Sequence, residues 1–315
     1  MPRLCLCLTT FRLIPYTQNM PTTWNRRAAL KGMLTTTAAV GTIGLAEACS
    51  PEEKRTNMPT VLKGNIRQSV CRWCFSDLSL DQLCAAAKEM GIKGIDLVGP
   101  QEWPTLKKYG LDSPMCNGAE INLTDGFNDP QFHTRLQQQY ADMIPQVAKA
   151  GYRNLICFSG NRRGKTDEQG WANCVAGLKP LMKLAEQHNV VLVMELLNSK
   201  IDHKDYQCDR TAWGVELAKR LGSEHFKLLY DIYHMQIDEG DVIRTLTEHH
   251  AYIAHYHTAG VPGRHELNDA QELNYPAIMR AIQATGFKGY VAQEFIPKQA
   301  DKLASLRQAV QLCDV

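Results

Sequence analysis

The sequence predicts an α/β protein, a single-domain (β/α)8 barrel behind an N-terminal leader, and three observations carry that expectation. Short apolar runs of strand length alternate with segments whose apolar residues recur at helical spacing. Eight such units account for residues 62–315 with no segment left over. Four of the runs end in a carboxylate or an imidazole, at the strand ends where such barrels keep their chemistry. A doubly wound sheet would share the alternation, but no Gly-rich phosphate loop follows the first run.

The first strand is expected at residues 66–70, followed by a helix over 77–90 with apolar positions at Leu80, Leu83, Ala86 and Ala87. A second strand over 94–98 leads through Gly-Pro into a short helix ending at Leu106. Residues 113–117 make a weaker third strand, and a long loop over 120–129 precedes a helix over 130–150. The fourth strand, 154–158, ends in a polar loop, and a helix over 167–188 follows. The fifth strand is expected at 190–196, then a helix over 210–221 that stops at Gly222, a residue suited to the turn after a helix. The sixth strand, 226–232, runs into a polar turn and a helix over 240–249. Strand seven (253–257), a helix over 275–285, strand eight (290–295) and a helix over 299–312 complete the series.

A formal net charge of +2 in 315 residues argues against a strongly electrostatic nucleic-acid binder. The 11 cysteines lack a repeated metal-binding spacing; Cys71-Arg-Trp-Cys74 has no second half and reads as ordinary strand and loop cysteines. Residues 1–57 read as an export leader and tether. Asn25-Arg-Arg-Ala-Ala-Leu-Lys31 resembles the twin-arginine motif, with Ala29 in place of the consensus Phe, and a mildly apolar run over 33–46 follows it. Ala46-Glu-Ala48 fits a small-x-small cleavage site, and Cys49 behind it is a candidate lipid anchor. The expected location is periplasmic, with the lipoprotein form as a variant of it.

The stretch Leu229-Tyr-Asp-Ile-Tyr-His-Met-Gln-Ile-Asp-Glu-Gly240 brings Asp231 and His234 to the end of an apolar run. Three comparable runs present Glu195, His257 and Glu294. An acid at a strand end is often a helix cap or a lysine's partner, and a lone histidine such as His234 or His255 is often a core residue. The set is what points to a divalent-metal site. Carboxylates suit Mg²⁺ or Mn²⁺, and a histidine tilts the choice towards Mn²⁺ or Co²⁺, with Zn²⁺ as a further substitute. Such a centre polarises a carbonyl and acidifies the hydroxyl-bearing carbon beside it, and a flanking carboxylate moves the proton. Trp73 and Trp103 are expected on loops near the site, as pocket walls or as packing.

Tyr230-Asp-Ile-Tyr-His-Met-Gln236 with Glu239-Gly240 resembles the signature of hydroxypyruvate isomerases, within the xylose isomerase-like sugar isomerase/epimerase superfamily. Glu195-Leu-Leu-Asn198, His255-Tyr-His257, Glu272-Leu-Asn-Tyr275 and Gln293-Glu-Phe-Ile-Pro-Lys298 support it. The resemblance implies a TIM barrel with Glu195, Asp231, His257 and Glu294 as metal ligands, and Glu195 and Glu294 as the proton-transferring pair. It implies that His234 and Arg264 contact substrate oxygens, and that the protein is a homo-oligomer. The chain departs from the pattern at His257, where these isomerases tend to carry Gln and the ketose epimerases His. It departs also at Gly260, where Asp is usual, and at Leu196, which replaces a proline. A third-strand histidine of some relatives is absent, with Asn117 the nearest polar residue.

The expected function is therefore metal-dependent isomerisation of a small hydroxy-carbonyl compound, hydroxypyruvate to tartronate semialdehyde being the leading reaction. A ketose 3-epimerase would use the same two glutamates. An endonuclease-IV-like hydrolase would need more histidines and a basic face. An exported sugar-binding barrel without catalysis would not need the complete acid set.

Overall fold

The computed structural model describes residues 61–315, so the leader, its cleavage site and Cys49 lie outside the described residues. The chain runs β1 (Arg67–Cys71), α1 (Leu80–Glu89), β2 (Gly94–Asp96), α2 (Trp103–Tyr109) and α3 (His133–Ala150). It continues with β3 (Asn154–Cys157), α4 (Asp167–His188), β4 (Val191–Glu195), α5 (Thr211–Leu221) and β5 (Phe226–Asp231). Then come α6 (Ile232–Asp238), α7 (Val242–Glu248), β6 (Ile253–Thr258), α8 (Tyr275–Ala284), β7 (Tyr290–Gln293) and α9 (Lys302–Leu312). Strands pair in parallel in the order β2-β1-β7-β6-β5-β4-β3.

Local chemistry sets the helix ends. Ser79 and Gln82 close a reciprocal capping box on α1, and Thr166 and Gln169 do the same on α4. Gly110, Gly151 and Gly222 end α2, α3 and α5 in the left-handed conformation that costs glycine least. Every residue of β4 is buried, as a strand covered on both faces requires.

The expected third strand is present as a single rung. Cys116 bridges Val98 on one side and Leu155 on the other. Leu97 N donates to Met115 O at 2.8 Å, and Ile156 N donates to Cys116 O at 2.9 Å. Thus residues 113–117 fill the eighth position between β2 and β3 and close the barrel. Regular pairing fails there because Pro114 has no N–H and Leu97 leaves the strand at φ 59°.

A second difference lies after β5. The expected strand end at residue 232 and polar turn are instead a helix, α6, that begins immediately at Ile232. Asp231 caps it: its side chain accepts from the backbone N–H of Tyr233 at 2.9 Å and of His234 at 3.3 Å. Among the described residues, no helix is long and apolar enough to cross a membrane. The described cysteines, Cys71 and Cys74 included, are free and buried.

Candidate metal centre and active site

Four side chains converge at the C-terminal mouth of the barrel. Glu195 ends β4, Asp231 ends β5, His257 lies in β6 in register with Asp231, and Glu294 follows β7. One ligand-type atom from each lies within 4.8 Å of the others, and all four residues are buried. His257 Nδ1 is 2.6 Å from Glu294 Oε2 and 3.4 Å from Glu195 Oε1. Yet His257 Nδ1 and Glu195 Oε1 have no aligned hydrogen-bond partner. Buried polar atoms this close and without aligned hydrogen bonds leave lone pairs free for another group, and three carboxylates with one imidazole form a donor set that a divalent cation fits.

Arg264 stands beside this group. Its Nη2 lies 2.5 Å from Glu294 Oε2 and 2.9 Å from Asp231 Oδ2, so one guanidinium offsets both carboxylates. The loop that carries it is tight: Gly260 N donates to His265 O at 2.8 Å, and Arg264 N to Gly260 O at 2.9 Å. A Cβ at Gly260 would come within 2.3 Å of Glu266 O, so the loop as folded has no room for the Asp that the resemblance led one to expect there. Leu196 has a similar account, since its N–H donates to Leu229 O at 3.2 Å in the sheet and proline could not.

His234 sits in the first turn of α6, fully buried. Asn198 Nδ2 approaches its Nδ1 at 2.6 Å, and Asn198 Oδ1 is committed to the N–H groups of Ile201 and Asp202. Nδ1 is therefore the acceptor, and Nε2–H faces the cavity and the Arg264 Nη1 at 2.5 Å. Trp73 Nε1 donates to Glu294 Oε1 at 2.8 Å. These groups floor a cavity of about 610 Å³, whose walls include Asn117, Ile121, Leu123 and Phe158.

Burial alone would push the Glu294 carboxyl up, but the His257 and Arg264 charges reverse this and hold it well below the carboxylate range. Burial would lower His257, and the facing Cys71, Glu294 and Asp96 groups outweigh it and raise it. Asp231 is pushed up to about 7 by burial, against the pull of Arg264 and with the repulsion of Glu294. His234 is held well below the usual histidine range, first by burial and then by the Arg264 charge.

The fold has counterparts among proteins already described. The Xylose isomerase-like TIM barrel family matches residues 84–313. The chain belongs to that family. The 2-oxo-tetronate isomerase of Cupriavidus necator is 36% identical over 114 residues, 36% of this chain and 43% of that protein, so this match spans less than half of the relative. The hydroxypyruvate isomerase of Escherichia coli K12 is 28% identical over 223 residues, 67% of this chain and 86% of the relative. The solved AP endonuclease, family 2, of Brucella melitensis superposes with a TM-score of 0.68 at 22% identity, over 76% of this chain and 96% of that one, a likeness of fold.

The geometry brings together all the residues singled out from the sequence: Glu195, Asp231, His257, Glu294, His234 and Arg264. The two tryptophans part company. Trp73 walls the cavity, whereas Trp103 is buried and donates to Val98 O at 3.1 Å as a packing residue. Asp96 went unnoticed because its strand was expected to run to residue 98. With the strand ending at Asp96, the strand-end rule that found the other acids would have found it too.

Proposed function

We propose that the protein is a metal-dependent intramolecular isomerase of a small hydroxy-carbonyl compound, with hydroxypyruvate to tartronate semialdehyde as the leading reaction. The observation that carries this reading is the convergence of Glu195, Asp231, His257 and Glu294, two of which, Glu195 and Glu294, line a cavity together with His234 and Arg264. The names of the relatives, hydroxypyruvate isomerase and 2-oxo-tetronate isomerase, support the same class. A bound Mn²⁺ or Mg²⁺, with Co²⁺ or Zn²⁺ as substitutes, would polarise the substrate carbonyl and acidify the adjacent C–H.

The chain's own groups then divide the remaining work. Glu195 and Glu294 move the proton. Glu195 Oε1 has no hydrogen-bond partner and is the freer base, while Glu294 is held on both oxygens by Trp73, His257 and Arg264. His234, neutral, presents Nε2–H, and Arg264 presents a second donor 2.5 Å away. Two donors this close are relieved by an acceptor in the cavity within reach of both, and the enediolate oxygen is such an acceptor. Ile121, Leu123 and Phe158 give the same cavity an apolar part of its lining.

A second reading, a ketose 3-epimerase, is favoured by His257, the residue that ketose epimerases carry where these isomerases tend to carry Gln. The cavity of about 610 Å³ also has more room than a three-carbon acid fills. We further propose export by the twin-arginine-type leader to the periplasm, with Cys49 as an anchor, a homo-oligomeric state, and no nucleic-acid partner. Fractionation of tagged wild type and Cys49→Ser tests the address, and light scattering tests the oligomer.

The deciding experiment incubates the Mn²⁺-loaded protein in D₂O with hydroxypyruvate, 2-oxo-tetronate and free ketoses, followed by NMR. Deuterium uptake with carbonyl migration, lost in Glu294→Gln, is the expected result. Uptake with inversion alone moves the protein to the epimerases. No uptake on any of them, with metal bound, overturns the proton-transfer chemistry.

A further inference from the structure

Beneath the four convergent ligand atoms lies a second buried polar layer that the proposed chemistry does not use. Asp96 closes β2 in register with Cys71 of β1. Because β2 and β6 are not neighbours in the sheet, the Asp96 carboxylate meets His255 and His257 across the barrel interior. Asp96 Oδ2 is 2.5 Å from His255 Nε2 and 3.5 Å from His257 Nε2. Cys71 Sγ lies 3.7 Å from the same His257 nitrogen. All four side chains are fully buried, and neither Asp96 oxygen has an aligned hydrogen bond. Placing a carboxylate here costs several kcal/mol of desolvation, so a reason for it is needed, and its position against His257 supplies one.

We propose that Asp96 is a positioning residue for the metal centre: its carboxylate holds the proton on His257 Nε2, which leaves Nδ1 as the lone-pair donor facing Glu195, Asp231 and Glu294. The inference rests on reading those residues as metal ligands. A metal-bound imidazole keeps its one proton on the nitrogen turned away from the metal; Glu195 and Glu294 face Nδ1 as fellow ligands, and Asp96 is the carboxylate that faces Nε2. Cys71, a weak sulfur acceptor at 3.7 Å, is a poor substitute for that role. His255 Nε2 stands 2.5 Å from the same Asp96 oxygen, so one carboxylate faces both imidazoles of β6. The alternation of a strand puts His255 and His257 on the same inner face, which is how one aspartate serves both.

The test uses the full chain and two readouts. Calorimetric Mn²⁺ titration compares wild type, Asp96→Asn and Cys71→Ser. ¹⁵N-histidine NMR of the Mg²⁺-loaded protein reports which His257 nitrogen carries the proton. The expected result is one Mn²⁺ per wild-type chain, affinity weaker by about 10–100-fold in Asp96→Asn, little change in Cys71→Ser, and a protonated Nε2 in wild type that is lost in Asp96→Asn. Unchanged affinity and an unchanged Nε2 proton in Asp96→Asn overturn the proposal while leaving the metal reading intact. Two Mn²⁺ per chain, one lost in both variants, also overturn it, because Cys71, Asp96 and His257 would then hold a cation of their own. If wild type binds no divalent ion, the metal reading itself fails. Should Asp96→Asn not fold, the wild-type spectrum decides: metal on Nε2 and the proton on Nδ1 overturns the proposal.

Discussion

The barrel carries a cavity at each end, about 610 Å³ at the C-terminal mouth and about 490 Å³ at the N-terminal end, and the two differ in how their polar atoms are answered. At the N-terminal end the charges satisfy one another. Arg67 donates to the Tyr290 hydroxyl at 2.5 Å, which donates to Asp112 at 2.9 Å, and Lys227 pairs with Glu224 at 2.6 Å. The Tyr152 hydroxyl is the orphan there. At the mouth, three buried carboxylates crowd one imidazole and one guanidinium, and Glu195 Oε1 and His257 Nδ1 have no partner. Size does not distinguish the ends. Uncompensated buried polarity does, because burying it is costly unless a ligand or a reaction uses it.

That contrast is open to attack, most strongly at the two glutamates. Glu195→Gln and Glu294→Gln are each expected to slow deuterium exchange by about 10²–10⁴-fold, whereas Asp112→Asn at the opposite end leaves the rate as it is; NMR in D₂O reads both. Next in size is Arg264→Ala. It leaves Asp231 and Glu294 without their cation, so chemical denaturation of the metal-free protein should show a loss of about 3–5 kcal/mol. Mn²⁺ should then raise its melting temperature by more than it raises that of wild type.

Metal at about 100 times its Kd should stabilise wild type by about 2.7 kcal/mol, and EDTA should remove that increment. The Asp231 carboxyl, pushed up to about 7, must lose its proton for Asp231 to serve as a ligand. Mn²⁺ affinity therefore falls as pH drops below about 7, with proton release visible by calorimetry in buffers of different ionisation enthalpy; affinity independent of pH between 6 and 8, taken as about one unit either side of that value, would count against Asp231 as a ligand. The smallest effect belongs to the N-terminal end. Tyr290→Phe breaks the Arg67–Tyr290–Asp112 chain and should cost about 1 kcal/mol of stability without touching exchange.

Legibility followed the same division. The acids and the histidine at the ends of β4 to β7 could be read because each is announced locally, by an apolar run that stops at a charged residue. The reading of a strand-end acid as a helix cap holds for Asp231: Oδ1 caps α6, which leaves Oδ2 to face Arg264. Asp96 carries the same strand-end signal, hidden by a strand expected to run to residue 98, while the meaning of both Asp96 and Cys71 arises from a partner more than 150 residues away across the barrel.

What the sequence determined by itself is the alternation of strands and helices, the positions of most helix ends and the acids and histidine that stand at the strand ends. Those follow from periodicity and capping, which act over a few residues. Tertiary structure alone decided that residues 113–117 close the barrel by one rung, that α6 starts without a turn, and that Trp73 faces the cavity while Trp103 packs. It also decided that Asp96 lies under His257. The reason is geometric: a strand's pattern says which side chains point inward, and only closure of the barrel says which inward side chains meet.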